Sequence, residues 1–146
     1  MQYRTITVRQ PWATLLACGV KKYETRSWAY RWPGPLAIHA AARMAPGDRI
    51  RTLQDPEMCK LIARCGYTSI DDLPLGAVLA IGTMVHCCRT QEVDILSHTE
   101  RALGDWSRGR WAWRFEDVVR LPEPVPAKGR QGLWWCELDL AYPAGR

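Results

Sequence analysis

One short segment of the chain carries acidic, basic and aromatic side chains close enough together to act on one ligand: Lys21, Glu24, Arg26 and Trp28. If the segment is a strand, its two-residue period places Glu24, Arg26 and Trp28 on one face. A guanidinium a few ångströms away keeps a carboxylate ionised, so this face could bind a polar ligand. A purely structural ion pair between Glu24 and Arg26 is the alternative interpretation.

Turn-forming residues predict the elements that position this segment. Pro11 suits a first helical position and Gly19 a left-handed cap, which predicts a helix over Pro11–Cys18. A second helical stretch, Gly47–Cys65, is interrupted around Asp55 and Pro56. Six strands are predicted from aromatic and β-branched content: Arg4–Val8, Tyr23–Trp28, Leu36–Ala40, Ala77–Cys88, Trp111–Phe115 and Leu133–Leu140. The sequence therefore predicts an α+β fold, a small β-barrel of about six strands with two or three short helices.

A second polar group, Lys128, Arg130 and Gln131, follows the proline-spaced segment Leu121–Pro126. The prolines predict an extended, stiff connector that delivers both cations to a fixed place. Gly129 permits close backbone approach, and Gln131 offers a donor and an acceptor for a base edge. We expect this loop to lie beside the first segment; a tight turn before the last strand is the alternative.

Charge and aromatic content favour a nucleic-acid partner. The net charge is +5, the first fifty residues are the most basic, and arginine far outnumbers lysine. Guanidinium groups grip phosphate and stack on bases, although a merely solvated basic face is the alternative. Of the eight tryptophans, Trp28, Trp32 and Trp106 are the candidates for exposed stacking rings, although core packing is the favoured interpretation for any one of them. Trp134 and Trp135 point oppositely, so one of them is predicted to be buried.

Length and composition predict one domain over residues 1–146. No apolar run is long enough to span a membrane, and the N-terminus does not resemble a secretory signal, so we expect a cytoplasmic protein. The six cysteines are expected to be reduced and mostly buried. The spacing of Cys59 and Cys65 matches no common zinc site, and no metal or cofactor is predicted. The oligomeric state is not indicated.

The segment also matches a family signature. Gly19, Lys21, Glu24 and Arg26 fit the pattern Gly-x-Lys-x-x-Glu-x-Arg, and the chain therefore resembles the ASCH domain family. The likeness extends to three other blocks: Gln10–Ala13, Gly34–His39 and Lys128–Trp134. It is similar to small bacterial and phage members. The resemblance implies the PUA-like barrel, which RNA-binding modules share, and extends the candidate site to Gln10 and Trp12.

Two classes of function follow. In the first, the chain is a binding module for RNA, which is favoured over DNA, or for a modified nucleobase or nucleoside. Trp28 or Tyr30 stacks on a base, and Glu24 and Gln131 read its polar edge. The cationic side chains then neutralise phosphate: Lys21, Arg26 and Arg130.

In the second class the chain is a hydrolase, with Lys21 as base, Glu24 as acid or water-positioner and Arg26 steadying an oxyanion. The resemblance implies two versions. One removes the acyl group from acylated cytidine, but those enzymes carry threonine where this chain has Glu24, and Thr25 is one place away. The other cleaves RNA with His39 as base, although a satisfied core histidine is the favoured interpretation of this residue. A protein-interaction domain that uses exposed tryptophans is a further alternative.

Overall fold

The computed structural model describes residues 1–94 and 96–139. Within them, a mixed sheet of six strands curls into a half-barrel, and four α-helices accompany it. The strands are β1 (Gln2–Val8), β2 (Tyr23–Arg26), β3 (Gly34–Ala40), β4 (Ala77–Arg89), β5 (Trp111–Pro126) and β6 (Leu133–Glu137). The helices are α1 (Trp12–Ala17), α2 (Pro46–Leu53), α3 (Pro56–Arg64) and α4 (His98–Ala102). The predicted α+β, barrel-like fold is confirmed, with one helix more than expected.

The strand order in the sheet is β2, β5, β4, β3, β1, β6. Only the β1–β3 pair is parallel among these neighbours, with Thr5 opposite Ala37 and Val8 opposite Ala40. The chain between them contains α1 and β2, which supplies the long crossover that parallel pairing needs. The edge strands β2 and β6 therefore stand at opposite ends of the curled sheet.

Apolar side chains cover both faces of this sheet. Along β3, Leu36 and Ile38 point into one cluster, whereas Ala37 points into the cluster on the other face. The first cluster fills the curve of the sheet around Trp113, the largest fully buried side chain. Burial of each large apolar side chain contributes about 1.5–3 kcal/mol. A third cluster holds α3 against α1, through Leu15, Met58, Ile62 and Leu103.

The first helix lies where it was predicted but is one residue shorter at each end. Pro11 precedes α1 as its N-terminal cap, after a cis peptide bond with Gln10. Gly19 follows the helix with φ +73°, the left-handed conformation that was predicted for it. The interrupted second stretch is two helices, and Asp55 caps the second by accepting from the backbone N–H groups of Glu57 and Met58.

Three predictions about elements need correction. The segment Leu121–Pro126 is not a connector but the end of β5, paired with β4 as far as Pro126 opposite Ala77. The strand predicted over Tyr23–Trp28 ends at Arg26, so the two-residue period does not extend to Trp28. The last strand ends at Glu137 rather than at Leu140, which lies outside the described residues. Shorter local differences occur elsewhere, because element boundaries depend on tertiary pairing.

The tryptophans differ in exposure according to what packs against them. Trp134 is buried and Trp135 is exposed, as the alternation predicted. Trp32 is also exposed. Trp28 and Trp106, however, are half-buried, with Trp28 packed edge-on against Trp113 and the Trp106 indole donating to the Glu100 carbonyl.

The six cysteines all carry free thiols. Two of them are buried, three are half-buried and Cys59 is exposed, so the expectation of mostly buried thiols is met only in part. In the described part of the chain, no helix has the length and apolar character that crossing a membrane requires.

Candidate functional site

A cavity of about 550 Å³ opens beside the signature segment. Its walls come from the end of β1, from β2, from one turn of α2 and from the segment after α4. The side chains that give the cavity its chemistry are Arg9, Trp12, Lys21, Glu24, Arg26, Asp48, Arg51, Asp105 and Arg110. The volume lies in the range of about 300–1,000 Å³ that is usual for small-molecule sites.

Glu24 and Arg26 form the structural ion pair that was the alternative interpretation of this segment. The Arg26 Nε and Nη2 atoms lie 3.1 and 2.8 Å from Glu24 Oε2, and Nη2 also donates to the Thr7 carbonyl at 2.7 Å. The other carboxylate oxygen, Oε1, accepts the backbone N–H of Thr25 at 3.2 Å. The pair is therefore part of the framework, and it also forms a wall of the cavity.

Lys21 lies at the back of the cavity and is only 1% exposed. Its ammonium donates to the backbone carbonyl of Tyr23. Burial lowers the pKa of Lys21 below its ordinary value, because removal from water penalises the charged form; the nearby carboxylates of Glu24 and Glu100 oppose that shift. Among the residues of the signature, Lys21 is the one whose proton affinity the fold alters most clearly.

Glu100 was not among the predicted site residues, yet it fixes the backbone around Lys21. Its Oε1 accepts the backbone N–H groups of Lys22 and Tyr23, and the side chain is buried. The spacing from Ser97 to Glu100 is that of a helix start, and Ser97 Oγ does accept the Glu100 N–H. The sequence thus carried a signal for the helix, but none for the contact with β2.

Asp48 is the second residue that the sequence did not reveal. Its side chain is 1% exposed, with Oδ1 2.7 Å from Arg51 Nη2 and Oδ2 3.2 Å from Arg9 Nη1. Arg110 was missed as well, and it donates from Nη2 to the Thr25 carbonyl at 3.0 Å. The spacing of Asp48 and Arg51 on a helical stretch was the available signal.

These residues make the cavity predominantly cationic. Five cationic side chains line it against three carboxylates, a formal excess of two positive charges when Lys21 is protonated. The single aromatic face among its lining residues is that of Trp12, with the Arg9 guanidinium 5.5 Å from the ring centroid. Cationic groups around an indole are suited to a planar, electron-rich ligand that carries negative charge.

Several predicted site residues lie elsewhere. Tyr30 is buried and stacks on Trp113, so it presents no free ring face, and Trp28 packs on the same indole. Gln10 is fully buried; its amide donates to Thr14 Oγ1 and to the Pro74 carbonyl. None of these three residues lines the cavity.

His39 is also enclosed, in a chain of hydrogen bonds. The Trp134 indole N–H donates to Thr7 Oγ1, and Thr7 Oγ1 lies 3.1 Å from His39 Nδ1. His39 Nε2 lies 2.7 Å from the Ala127 carbonyl, which can only accept, so Nε2 carries the proton. Burial lowers the pKa of His39 and keeps the ring neutral. This geometry does not offer His39 as a base to a ligand in the cavity.

Lys128, Arg130 and Gln131 are exposed and do not line the cavity. The backbone of their loop approaches β1 and β3 instead of Lys21. A Cβ atom placed on Gly129 would come within 2.7 Å of His39 Cε1 and 3.0 Å of Thr7 Oγ1. The close approach predicted for Gly129 is therefore present, but its partner is the wall that carries His39.

Within residues 1–94 and 96–139, no group of three or more histidine, cysteine or acidic side chains is placed to hold a metal ion.

A model of the ASCH domain matches residues 6–125, which includes every wall of the cavity. The chain belongs to the ASCH domain family. Activating signal cointegrator 1 from Homo sapiens is 32% identical over 82 residues, which is 56% of this chain and 14% of that protein. This ASCH domain thus spans only a small part of the length of that human relative.

Proposed function

We propose that this ASCH domain binds nucleic acid by accepting a nucleobase in the cavity. The observation that carries the proposal is the composition of the walls: an indole and an excess of guanidinium groups surround a space of about 550 Å³. Aromatic faces between basic groups are the usual means of holding unpaired bases. RNA is the proposed nucleic acid, because the family likeness implies a barrel shared with RNA-binding modules.

Each wall has a distinct role in this proposal. Trp12 stacks on the base, while the guanidinium groups at the mouth balance the charge of the backbone. The rigid pair of Glu24 and Arg26 sets the position of the inner wall, so a ligand does not have to order it on binding. Lys21 offers its remaining N–H groups to an oxygen acceptor on the ligand.

The test is binding of fluorescent single-stranded RNA and DNA oligomers across a salt series. Trp12→Leu removes the aromatic face but keeps an apolar side chain against the core, which Trp12 partly contacts. Since stacking on an aromatic ring is worth about 1–3 kcal/mol, we expect affinity for RNA to fall roughly five- to 150-fold. Trp135→Leu is the matched control, because Trp135 is exposed and lies outside the cavity.

The outcomes separate the hypotheses. Salt-sensitive RNA binding that Trp12→Leu weakens and Trp135→Leu leaves unchanged supports the proposal. An equal loss of RNA affinity in both variants would show that the RNA-binding surface lies outside the cavity. If no oligomer binds at low salt, the proposal fails, and the hydrolase and protein-interaction alternatives remain.

A second candidate is hydrolysis in the same cavity, and the buried Lys21 favours it. A lysine whose pKa is lowered by burial carries a larger neutral fraction near neutral pH and can accept a proton. Glu24 is less suited to act as an acid or base than as a support, because both its oxygens already accept hydrogen bonds. Thr25 lines the cavity, but it lies one residue later in the sequence than the threonine of the acylated-cytidine hydrolases, which corresponds to Glu24.

Hydrolysis is tested by incubating the protein with single-stranded RNA and with acylated cytidine and following product by chromatography. Lys21→Met removes the base and retains the length of the side chain, so any genuine turnover is expected to disappear. Lys22→Met is the matched control, because Lys22 is exposed. Turnover that survives Lys21→Met would rule out Lys21 as the base. If the wild-type protein shows no turnover, the binding domain is the function that remains.

A further inference from the structure

At the mouth of the cavity, one buried carboxylate holds two arginines. Asp48 is 1% exposed, whereas the side chains of Arg9 and Arg51 are 65% and 75% exposed. Arg51 contacts one oxygen of Asp48 and Arg9 contacts the other, and all three residues line the cavity. The arrangement places two largely solvent-facing guanidinium groups on the same rim.

The charge of this group is not balanced. One carboxylate neutralises one guanidinium, so the group retains a formal charge of +1, and the two like charges repel each other. A structural ion pair would require only one arginine. An anion between the two guanidinium groups relieves their repulsion and gains charge-assisted hydrogen bonds.

Donors remain for such an anion. A guanidinium has five N–H groups, and in the described part of the chain Asp48 is the only polar side chain seen to contact Arg9 or Arg51. Asp48 Oδ2 itself is buried without a hydrogen bond of good geometry, so it holds Arg9 as an ion pair rather than through an oriented hydrogen bond. Paired, planar donors are the groups that match the oxygens of phosphate.

We propose that Arg9 and Arg51, anchored by Asp48, bind a phosphate group of the nucleic acid whose base occupies the cavity. This inference rests on the proposed function and specifies its ligand class as a nucleotide or polynucleotide rather than a free nucleoside. The Arg9 guanidinium lies over the Trp12 ring, 5.5 Å from its centroid, so the phosphate site adjoins the ring that is proposed to stack on the base.

The test compares ligands that differ only in phosphate. Binding of the four ribonucleosides and of their 3′- and 5′-monophosphates is measured by calorimetry, beside a single-stranded RNA oligomer. We expect at least one monophosphate to bind about tenfold more tightly than its nucleoside, a gain typical of hydrogen bonds to a charged group. Arg9→Ala and Arg51→Ala are each expected to remove most of that gain, and to lower the salt dependence of RNA binding by about one unit of slope.

Arg49→Ala is the matched control, because Arg49 lies on the same helix, pairs with Asp71 and does not line the cavity. Asp48→Asn adds a further discrimination. If overall charge alone determined affinity, loss of this negative charge would tighten phosphate binding. If Asp48 anchors the two arginines, as proposed, the same substitution weakens phosphate binding.

Three results would overturn the inference: monophosphates that bind no better than nucleosides, identical behaviour of Arg51→Ala and Arg49→Ala, or tighter binding by Asp48→Asn. Any of these leaves the proposed function intact if nucleosides or RNA still bind in a Trp12-dependent way. If the wild type binds none of the probes, the proposed function fails and the phosphate site fails with it.

Discussion

Arg26 Nη2 in β2 donates a 2.7 Å hydrogen bond to the backbone carbonyl of Thr7 in β1. β2 is one edge strand of the sheet, and β1 is the strand next to the opposite edge. This bond therefore crosses the open side of the half-barrel. The same guanidinium is held by two contacts with Glu24. Arg26, held by Glu24, therefore connects the edge strand β2 to β1 at the wall of the cavity.

This relationship predicts that Arg26→Lys destabilises the fold. A lysine has one nitrogen and cannot make the forked contact with Glu24 while it also reaches the Thr7 carbonyl. Loss of charge-assisted hydrogen bonds in a partly buried site is expected to lower the free energy of unfolding by about 1–3 kcal/mol. Urea titration measures the change. Arg64→Lys, at an exposed position in the last turn of α3, is the control; equal midpoints for the two variants would contradict the prediction.

Much of this arrangement was accessible from sequence because it is local. Glu24 and Arg26 share a face through the strand period, and Gly19 ends a helix by adopting a positive φ. The opposite burial of Trp134 and Trp135 follows from the same alternation. In each case residues within a few positions of one another determine the outcome, so no knowledge of the tertiary fold is needed.

The rest of the site depends on contacts between distant segments. Arg9 meets Asp48 only because α2 packs near the end of β1, and Glu100 reaches the backbone at Lys22 across 78 positions of sequence. The prolines near the end of β5 led to the wrong prediction of a connector for a different reason. They recur at every second residue, so their missing N–H groups all fall on one edge, and this part of β5 pairs with β4 on its other edge.

The enclosed ring of His39 predicts a pH dependence of stability. Its pKa in the folded protein lies below the value of about 6.5 in the unfolded chain, so the unfolded chain binds the proton more readily. The contribution of neutral His39 to the free energy of unfolding is complete above pH 6.5. It is lost as the pH falls from 6.5 toward the pKa of His39 in the folded protein. Urea unfolding at several pH values between 7.5 and 5 measures this loss.

His39→Gln removes the titrating group, and the variant is expected to show a shallower fall in stability over the same pH range. His98→Gln changes an exposed histidine at the start of α4 and is the control. If His39→Gln and the wild type lose stability in parallel as the pH falls, His39 is not the source of the dependence.

The approach of Gly129 to His39 predicts a packing defect in Gly129→Ala. The added methyl group would lie 2.7 Å from His39 Cε1, closer than side-chain carbon atoms approach, and the buried ring has little room to shift. Overpacking of this kind costs about 1–3 kcal/mol of unfolding free energy. Gly47→Ala is the control, since its nearest neighbour, in the Arg51 side chain, is 3.8 Å away and alanine favours a helix. A Gly129→Ala protein as stable as Gly47→Ala would contradict the prediction.

The burial of Lys21 predicts the titration of its ammonium and the effect of Glu100 on it. The Nζ resonance, followed by nitrogen NMR against pH, is expected to titrate below the ordinary value of 10.5, since desolvation outweighs the nearby carboxylates. Glu100→Gln keeps an acceptor for the Lys22 and Tyr23 N–H groups but removes a negative charge, so the pKa of Lys21 should fall further. Glu57→Gln, which removes an exposed carboxylate paired with Lys60, is the control and leaves Lys21 unchanged. A rise of the Lys21 pKa in Glu100→Gln would show that the two groups are not coupled by charge.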